Sequence, residues 1–126
     1  MTINELAYPF RGAIYDVYKA LGPGLLESVY EEALVFELEQ RGLKVERQKV
    51  VPINYKGHAL RTELRLDLLV EDQIIVELKS VAEMKDVFYK QTLTYLRLLD
   101  KRLGLLVNFN VDNILEGAIK RVVNGL

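Results

Sequence analysis

No cysteine occurs in the 126 residues, and the only histidine is His58. The first absence excludes a disulfide scaffold, a thiolate metal site and a cysteine nucleophile. The second argues against zinc hydrolases, which commonly draw on several histidines. The chain also lacks a GxxxxGK(S/T) phosphate loop and a GxGxxG turn, so nucleotide-driven and dinucleotide chemistry have no support. No apolar run approaches the ~20 residues of a membrane span. The first ten residues, MTINELAYPF, carry no basic-then-apolar leader pattern. The expectation is a cytoplasmic protein with no membrane partner. A charge excess is missing too: 17 basic residues stand against 18 acidic ones, and global electrostatics announces no nucleic-acid partner.

The charges are unevenly placed. Residues 1–78 hold nine basic and thirteen acidic side chains, and residues 79–126 hold eight and five. The second part suits a phosphate backbone, and the first part concentrates carboxylates for a divalent cation. Half of the chain is apolar, enough for one core and too little for two. No repeat, low-complexity stretch or flexible linker interrupts it, so residues 1–126 are expected to form a single domain.

Apolar positions at Leu6, Phe10, Ile14, Val17 and Leu21 follow helical spacing over residues 5 to 20. Gly22-Pro23-Gly24 ends that helix. A second is expected from about Leu26 to Arg41, with Val29, Ala33, Phe36 and Leu38 supplying apolar contacts and Gly42 capping it. The period then changes. Residues 44 to 55 and 60 to 70 alternate and are rich in β-branched side chains, with Lys56-Gly57-His58 as a hairpin turn between them. Residues 73 to 79 make a third strand, residues 87 to 99 a helix, and the apolar run 103 to 109 a strand covered on both faces. Asp112–Leu115 reads as a helical turn, and Gly117–Val123 as a last strand or a helix. The order predicts an α/β layer arrangement with a mixed sheet, whose crossover from strand 73–79 to strand 103–109 is parallel and right-handed.

Within it, Arg65-Leu66-Asp67-Leu68-Leu69-Val70 and Ile74-Ile75-Val76-Glu77-Leu78-Lys79 carry the chemistry. Side chains alternate across a strand. A three-residue loop, 71–73, pairs Val70 with Ile74, sets Asp67 opposite Glu77 and Arg65 opposite Lys79, and leaves Leu66, Leu68, Val76 and Leu78 on the other face. A two-residue loop would scramble that sorting, so the hydrophobic pattern selects the longer one. Two carboxylates then face each other with β-carbons roughly 5 Å apart. Like charges so placed need Arg65, Lys79 or a divalent cation to compensate. Hard cations take carboxylates, waters and phosphates. The Leu78 carbonyl lies close enough to contribute, and Lys79 could act on a water or on charge at phosphorus. The bland alternative is an exposed hairpin face of ion pairs.

Asp67, a spacer and Glu77-x-Lys79 on adjacent strands resembles the core of the PD-(D/E)XK nuclease superfamily. Gly24-Leu25-Leu26-Glu27-Ser28-Val29-Tyr30 is similar to the signature of the GxxExxY protein family, a group of small prokaryotic proteins similar to that superfamily. Gln91-Thr92-Leu93-Thr94-Tyr95 is similar to the Gln-x-x-x-Tyr motif of its exonuclease-like branches. The resemblance runs from about residue 8 to residue 124. It implies a restriction-endonuclease-like core. It implies Asp67 and Glu77 as ligands of Mg2+ or Mn2+, Glu27 as an additional acidic ligand or water-holder from the helix, Lys79 acting on the nucleophilic water, and Gln91 and Tyr95 positioning substrate or supporting the site. Leu66 departs from it by standing where the superfamily's name expects proline.

Tyr30 shares a helix face with Glu27; for it and for Tyr95 the rival to a site role is an ordinary half-buried core tyrosine. Tyr30 and Arg65 are expected as substrate-binding or supporting residues. Lys90, Arg97 and Lys101 form a stripe on the third helix that reads as a solvated face, with Lys85, Lys120 and Arg121 as an optional basic rim. Asn108 and Asn110 either line a site or turn the chain. The leading expectation is a deoxyribonuclease using metal-activated water. Its rivals are a silent nucleic-acid- or protein-binding module and a hydrolase of small phosphoesters. The short chain leaves room for self-association or a protein partner in gripping duplex DNA.

Overall fold

The computed structural model describes residues 1–114 and 117–125. Helix α1 spans Ile3–Leu21. The Thr2 hydroxyl accepts the Glu5 N–H at 3.2 Å to cap it, and Leu6, Phe10, Ala13, Ile14 and Val17 form its buried stripe. Leu21, expected in that stripe, is 39% exposed because the helix ends there. Gly22 takes φ +70° and donates to the Tyr18 carbonyl at 2.8 Å.

Helix α2 spans Glu27–Gln40. Gly42, at φ +79°, donates to the Glu39 carbonyl, and Leu43 donates to the Leu38 carbonyl. This pair of bonds closes the helix on a left-handed glycine, as its sequence position predicts. The buried face is Tyr30, Leu34, Val35 and Leu38, with Glu31 among them. Of the expected apolar contacts, Leu38 is buried and Ala33 partly so, whereas Val29 and Phe36 are exposed. α2 carries apolar residues on more than one side, and spacing alone does not choose the side that meets the sheet.

Strand β1 (Val45–Val51) stops before Pro52, which has no N–H for a ladder. A separate two-stranded hairpin follows, β2 (Asn54–Tyr55) and β3 (His58–Ala59). Lys56 and Gly57 both take positive φ, the requirement of a two-residue turn matched to strand twist. The hairpin expected around Lys56-Gly57 is there, but the long strands beside it pair with each other directly. β1 runs antiparallel to β4 (Leu64–Val70), Val51 against Leu64 and Val45 against Val70.

β4 turns through residues 71–73 into β5 (Ile74–Lys79), and Val70 pairs with Ile74 as the hydrophobic pattern required. Helix α3 (Asp86–Leu99) crosses to β6 (Leu103–Asn108), which lies parallel to β5 and is buried throughout. β7 (Ile119–Val123) pairs antiparallel with β6, so the last segment is a strand. Asp112 sits in a bend and Ile114 in a turn where a helical turn was expected, and Leu115 lies outside the described residues. The sheet order is β1-β4-β5-β6-β7.

α1 and α2 cover one face of the sheet, packing on Leu68, Val70, Val76, Leu78, Val107 and Phe109. α3 covers the other, with Leu96 against Leu66, Leu69, Ile75 and Leu106. Among the described residues no helix is long and apolar enough to cross a membrane.

Candidate functional site

The regular ladders fail at one place. β1 and β4 pair at Arg47–Leu68 and at Lys49–Leu66 but not at Gln48–Asp67 between them. Gln48 has φ +49°, a left-handed residue in the middle of a strand. On the other side, β4 and β5 pair as far as Leu68–Val76 and no further. Asp67 is therefore released from backbone pairing on both sides.

Side chains replace the missing rungs. The Asp67 N–H donates to Glu77 Oε2 at 2.9 Å, and the Leu78 N–H donates to Asp67 Oδ2 at 2.8 Å. Each carboxylate spends one oxygen on the opposite strand and keeps the other. Asp67 Oδ1 has only a loose contact, 3.5 Å from Gln48 Nε2. Glu77 is 7% exposed, yet among the described residues no buried side-chain polar atom lacks a partner. Its carboxyl also lies within hydrogen-bond reach of the Asp67 carboxyl. The Lys79 carbonyl accepts from the Phe109 N–H, so by alternation along β5 the Leu78 carbonyl points to the Asp67 side.

Burial, and after it the Asp67 charge, pushes the Glu77 carboxyl up to about 8; the Asp67 N–H and the Lys79 ammonium pull the other way. The two carboxyls face each other as the register predicts, and the Asp67 charge contributes to holding the proton on Glu77. Lys79 sits one step along, half-buried, its ammonium 4.6 Å from the centroid of the Phe88 ring. Tyr95, on the same side of the sheet, has its phenol raised by burial, then by Glu77 and Asp67. Gln91 is one turn earlier on that helix, exposed.

Two expectations need correction, and a third, Tyr30, is narrowed to its supporting role. Leu66 packs on the α3 side with Val51 and Ile75, while Leu68 packs under α1 and α2. The alternation slips at Asp67, where the strand leaves the ladder. Arg65 consequently turns away from Lys79: its guanidinium donates to the Gln48 carbonyl at 3.3 Å and pairs with Glu63 at 3.0 Å. Tyr30 is fully buried, stacked on Phe109 with centroids 4.3 Å apart. Its hydroxyl donates to the Gly22 carbonyl at 2.5 Å and accepts the Leu25 N–H at 3.1 Å. Burial excludes a substrate contact and makes it a support for the 22–25 turn.

Glu27 opens α2, exposed. The Ser80 hydroxyl donates to the Leu25 carbonyl at 2.6 Å, which ties the end of β5 to the start of α2. The helix carboxylate that connects to the pair is instead Glu31, one turn on. It accepts from Gln48 Nε2 at 2.6 Å and pairs with Arg47 at 3.1 Å. Sequence reading missed both Glu31 and Gln48. The signal for Glu31 was an acid on the arc between Tyr30 and Leu34; Gln48 gave none. Asn108 is buried, its amide bonded to both backbone groups of Val81 and to the Asn110 N–H, so it shapes the chain after β5. Lys101 pairs with Asp72 and leaves the helix stripe. A cavity of about 520 Å³ lies under α1 beside Ile74 and Leu103, at the far end of β5 and β6 from the carboxylates.

A family model described as the PD-(D/E)XK nuclease superfamily matches residues 4–122. The chain belongs to that superfamily. Its mixed five-stranded sheet between helices is the restriction-endonuclease-like fold. No curated protein and no solved structure matches the chain. Nucleases of this superfamily generally use divalent metals. The donor set here fits a hard cation held by two carboxylates and completed by water and phosphate. It does not fit an all-protein cage: among the described residues no three His, Cys, Asp or Glu side chains converge.

Proposed function

We propose that this chain is a Mg2+- or Mn2+-dependent nuclease that hydrolyses phosphodiester bonds of DNA, working as one nuclease-like domain. The observation that carries the reading is the reciprocal bonding of Asp67 and Glu77, which fixes both carboxylates and leaves one oxygen of each, Oδ1 and Oε1, uncommitted to the opposite strand. Those two oxygens and the Leu78 carbonyl would hold the cation. The bound cation supplies polarisation of a phosphoryl oxygen and a lowered pKa for water. Lys79, free of any carboxylate partner among the described residues, orients the attacking water and stabilises charge developing at phosphorus. Tyr95 and Gln91 face the incoming strand from α3. Glu27 contributes its charge from the N-terminus of α2, as the likeness to the GxxExxY signature suggests.

The test is calorimetric titration with Mn2+ together with cleavage of linear, circular, single-stranded and branched DNA. Asp67→Asn is expected to lose Mn2+ binding and cleavage. A variant cutting at the wild-type rate sinks the assignment. The second reading, a binding module without catalysis, is favoured by the lack, among the described residues, of a third acid converging on Asp67 and Glu77. Wild-type protein that takes up no Mn2+ at millimolar concentration decides for it.

A further inference from the structure

We infer that Gln48 is the positioning residue of this site, and that it acts as a bridge between Glu31 and Asp67. The inference rests on the metal-site reading above and names what holds its outer oxygen in place.

The backbone comes first. A glutamine at φ +49° inside a strand is held in a conformation that L side chains avoid. Such a residue persists only where its surroundings insist on it, and here they do from two directions. The Arg65 guanidinium donates to the Gln48 carbonyl at 3.3 Å. The Gln48 side-chain amide donates to Glu31 Oε1 at 2.6 Å. Glu31 is itself fixed, only 7% exposed and paired with Arg47. The left-handed turn removes the rung opposite Asp67, and losing that rung lets the Asp67 carboxylate swing onto the Leu78 N–H.

The side chain does the second part. An amide nitrogen carries two hydrogens. One is committed to Glu31, which aims the other at Asp67 Oδ1, 3.5 Å away. That oxygen is the one left over for a cation. A neutral donor at this distance orients the carboxylate while leaving a lone pair open. An arginine or lysine there would compete with the cation, and a further acid would repel both neighbours. Glutamine is the residue type that serves both ends. Partners of this kind, one shell behind the ligands, commonly tune metal affinity.

The chosen variant is Gln48→Gly. Glycine adopts φ +49° freely, so the ladder stays open and only the amide is lost. Gln48→Asn is the second variant: asparagine tolerates the left-handed backbone but is one methylene too short to span Glu31 and Asp67. Amide hydrogen exchange of the 15N-labelled, metal-free protein is decisive. In both variants the Leu78 N–H is expected to exchange roughly five- to tenfold faster relative to the amides of β6, the size of one weakened hydrogen bond, so that a general loss of stability, which quickens both, is told apart. Glu31→Ala should reproduce the effect and Glu31→Gln should not, because its amide oxygen still accepts from Gln48. Mn2+ affinity should fall about 10- to 100-fold in Gln48→Gly. Leu78 exchange at the wild-type rate in both variants overturns the inference, even if wild-type protein binds Mn2+ through Asp67. Accelerated exchange in a protein that binds no Mn2+ upholds the bridge and removes the metal reading.

Discussion

A carboxyl held up at about 8 is mostly protonated at neutral pH when no cation is present. Glu77 then binds a proton in the folded chain that its unfolded counterpart has already lost above about 4.5. Stability of the metal-free protein is therefore expected to fall as pH rises from about 4.5 to about 8, and to flatten beyond. Thermal unfolding across that range checks it, with Glu77→Gln expected to remove the slope. A cation must displace the same proton, so Mn2+ affinity should climb with pH until about 8 and binding near neutrality should release a proton. Calorimetry in buffers of different ionisation enthalpy measures that release. Lys79→Ala is expected to lower kcat by about 10²–10³-fold with Mn2+ affinity little changed; a large loss of affinity instead would make the lysine a structural partner of the acids. That Asp67 and Glu77 face each other was legible in sequence because the 71–73 loop sets the register as far as Leu68 and Val76, one step before them. Gln48 was not, because nothing in the residues around it marks a left-handed glutamine inside a strand.

Elements were legible where a turn or a cap has strong chemistry. Gly22, Gly42 and the Lys56-Gly57 turn each stand at a positive φ that sequence position anticipates. The 71–73 loop was deduced from which register sorts polar from apolar, and the pairing of Val70 with Ile74 is that register. What alternation could not foresee is the slip at Asp67, since a strand that leaves its ladder no longer obeys a period of two. Likewise the buried side of α2 depends on the sheet it meets, which local spacing does not contain. α3 and β6 approach closely at Gly104, where a β-carbon would stand 2.7 Å from Thr92 Cγ2. Gly104→Ala should destabilise the fold by about 1–3 kcal/mol, measured by urea unfolding. Combining it with Thr92→Ser, which deletes that methyl, should recover much of the loss. Additive effects of the two changes would show that the strain is relieved elsewhere.

For the molecule as a whole, two apolar layers share one sheet, and Tyr30 links the buried layer to the turn between α1 and α2. Tyr30→Phe strands the Gly22 carbonyl and the Leu25 N–H and should cost about 1–3 kcal/mol. If the layers unfold together, far-ultraviolet dichroism and tyrosine fluorescence will report one urea transition at the same midpoint. Separate midpoints would mean that the α3 side melts alone. The α/β class was readable from element order, whereas the sharing of the layers around the sheet was not. The swap of side-chain oxygens for missing rungs has a consequence for descent. Asp67 and Glu77 stitch two strands together whether or not any phosphate is ever cut. A lineage that abandoned hydrolysis would still be obliged to keep both acids, and the ammonium of Lys79, which secures no strand, would be the first of the three to drift.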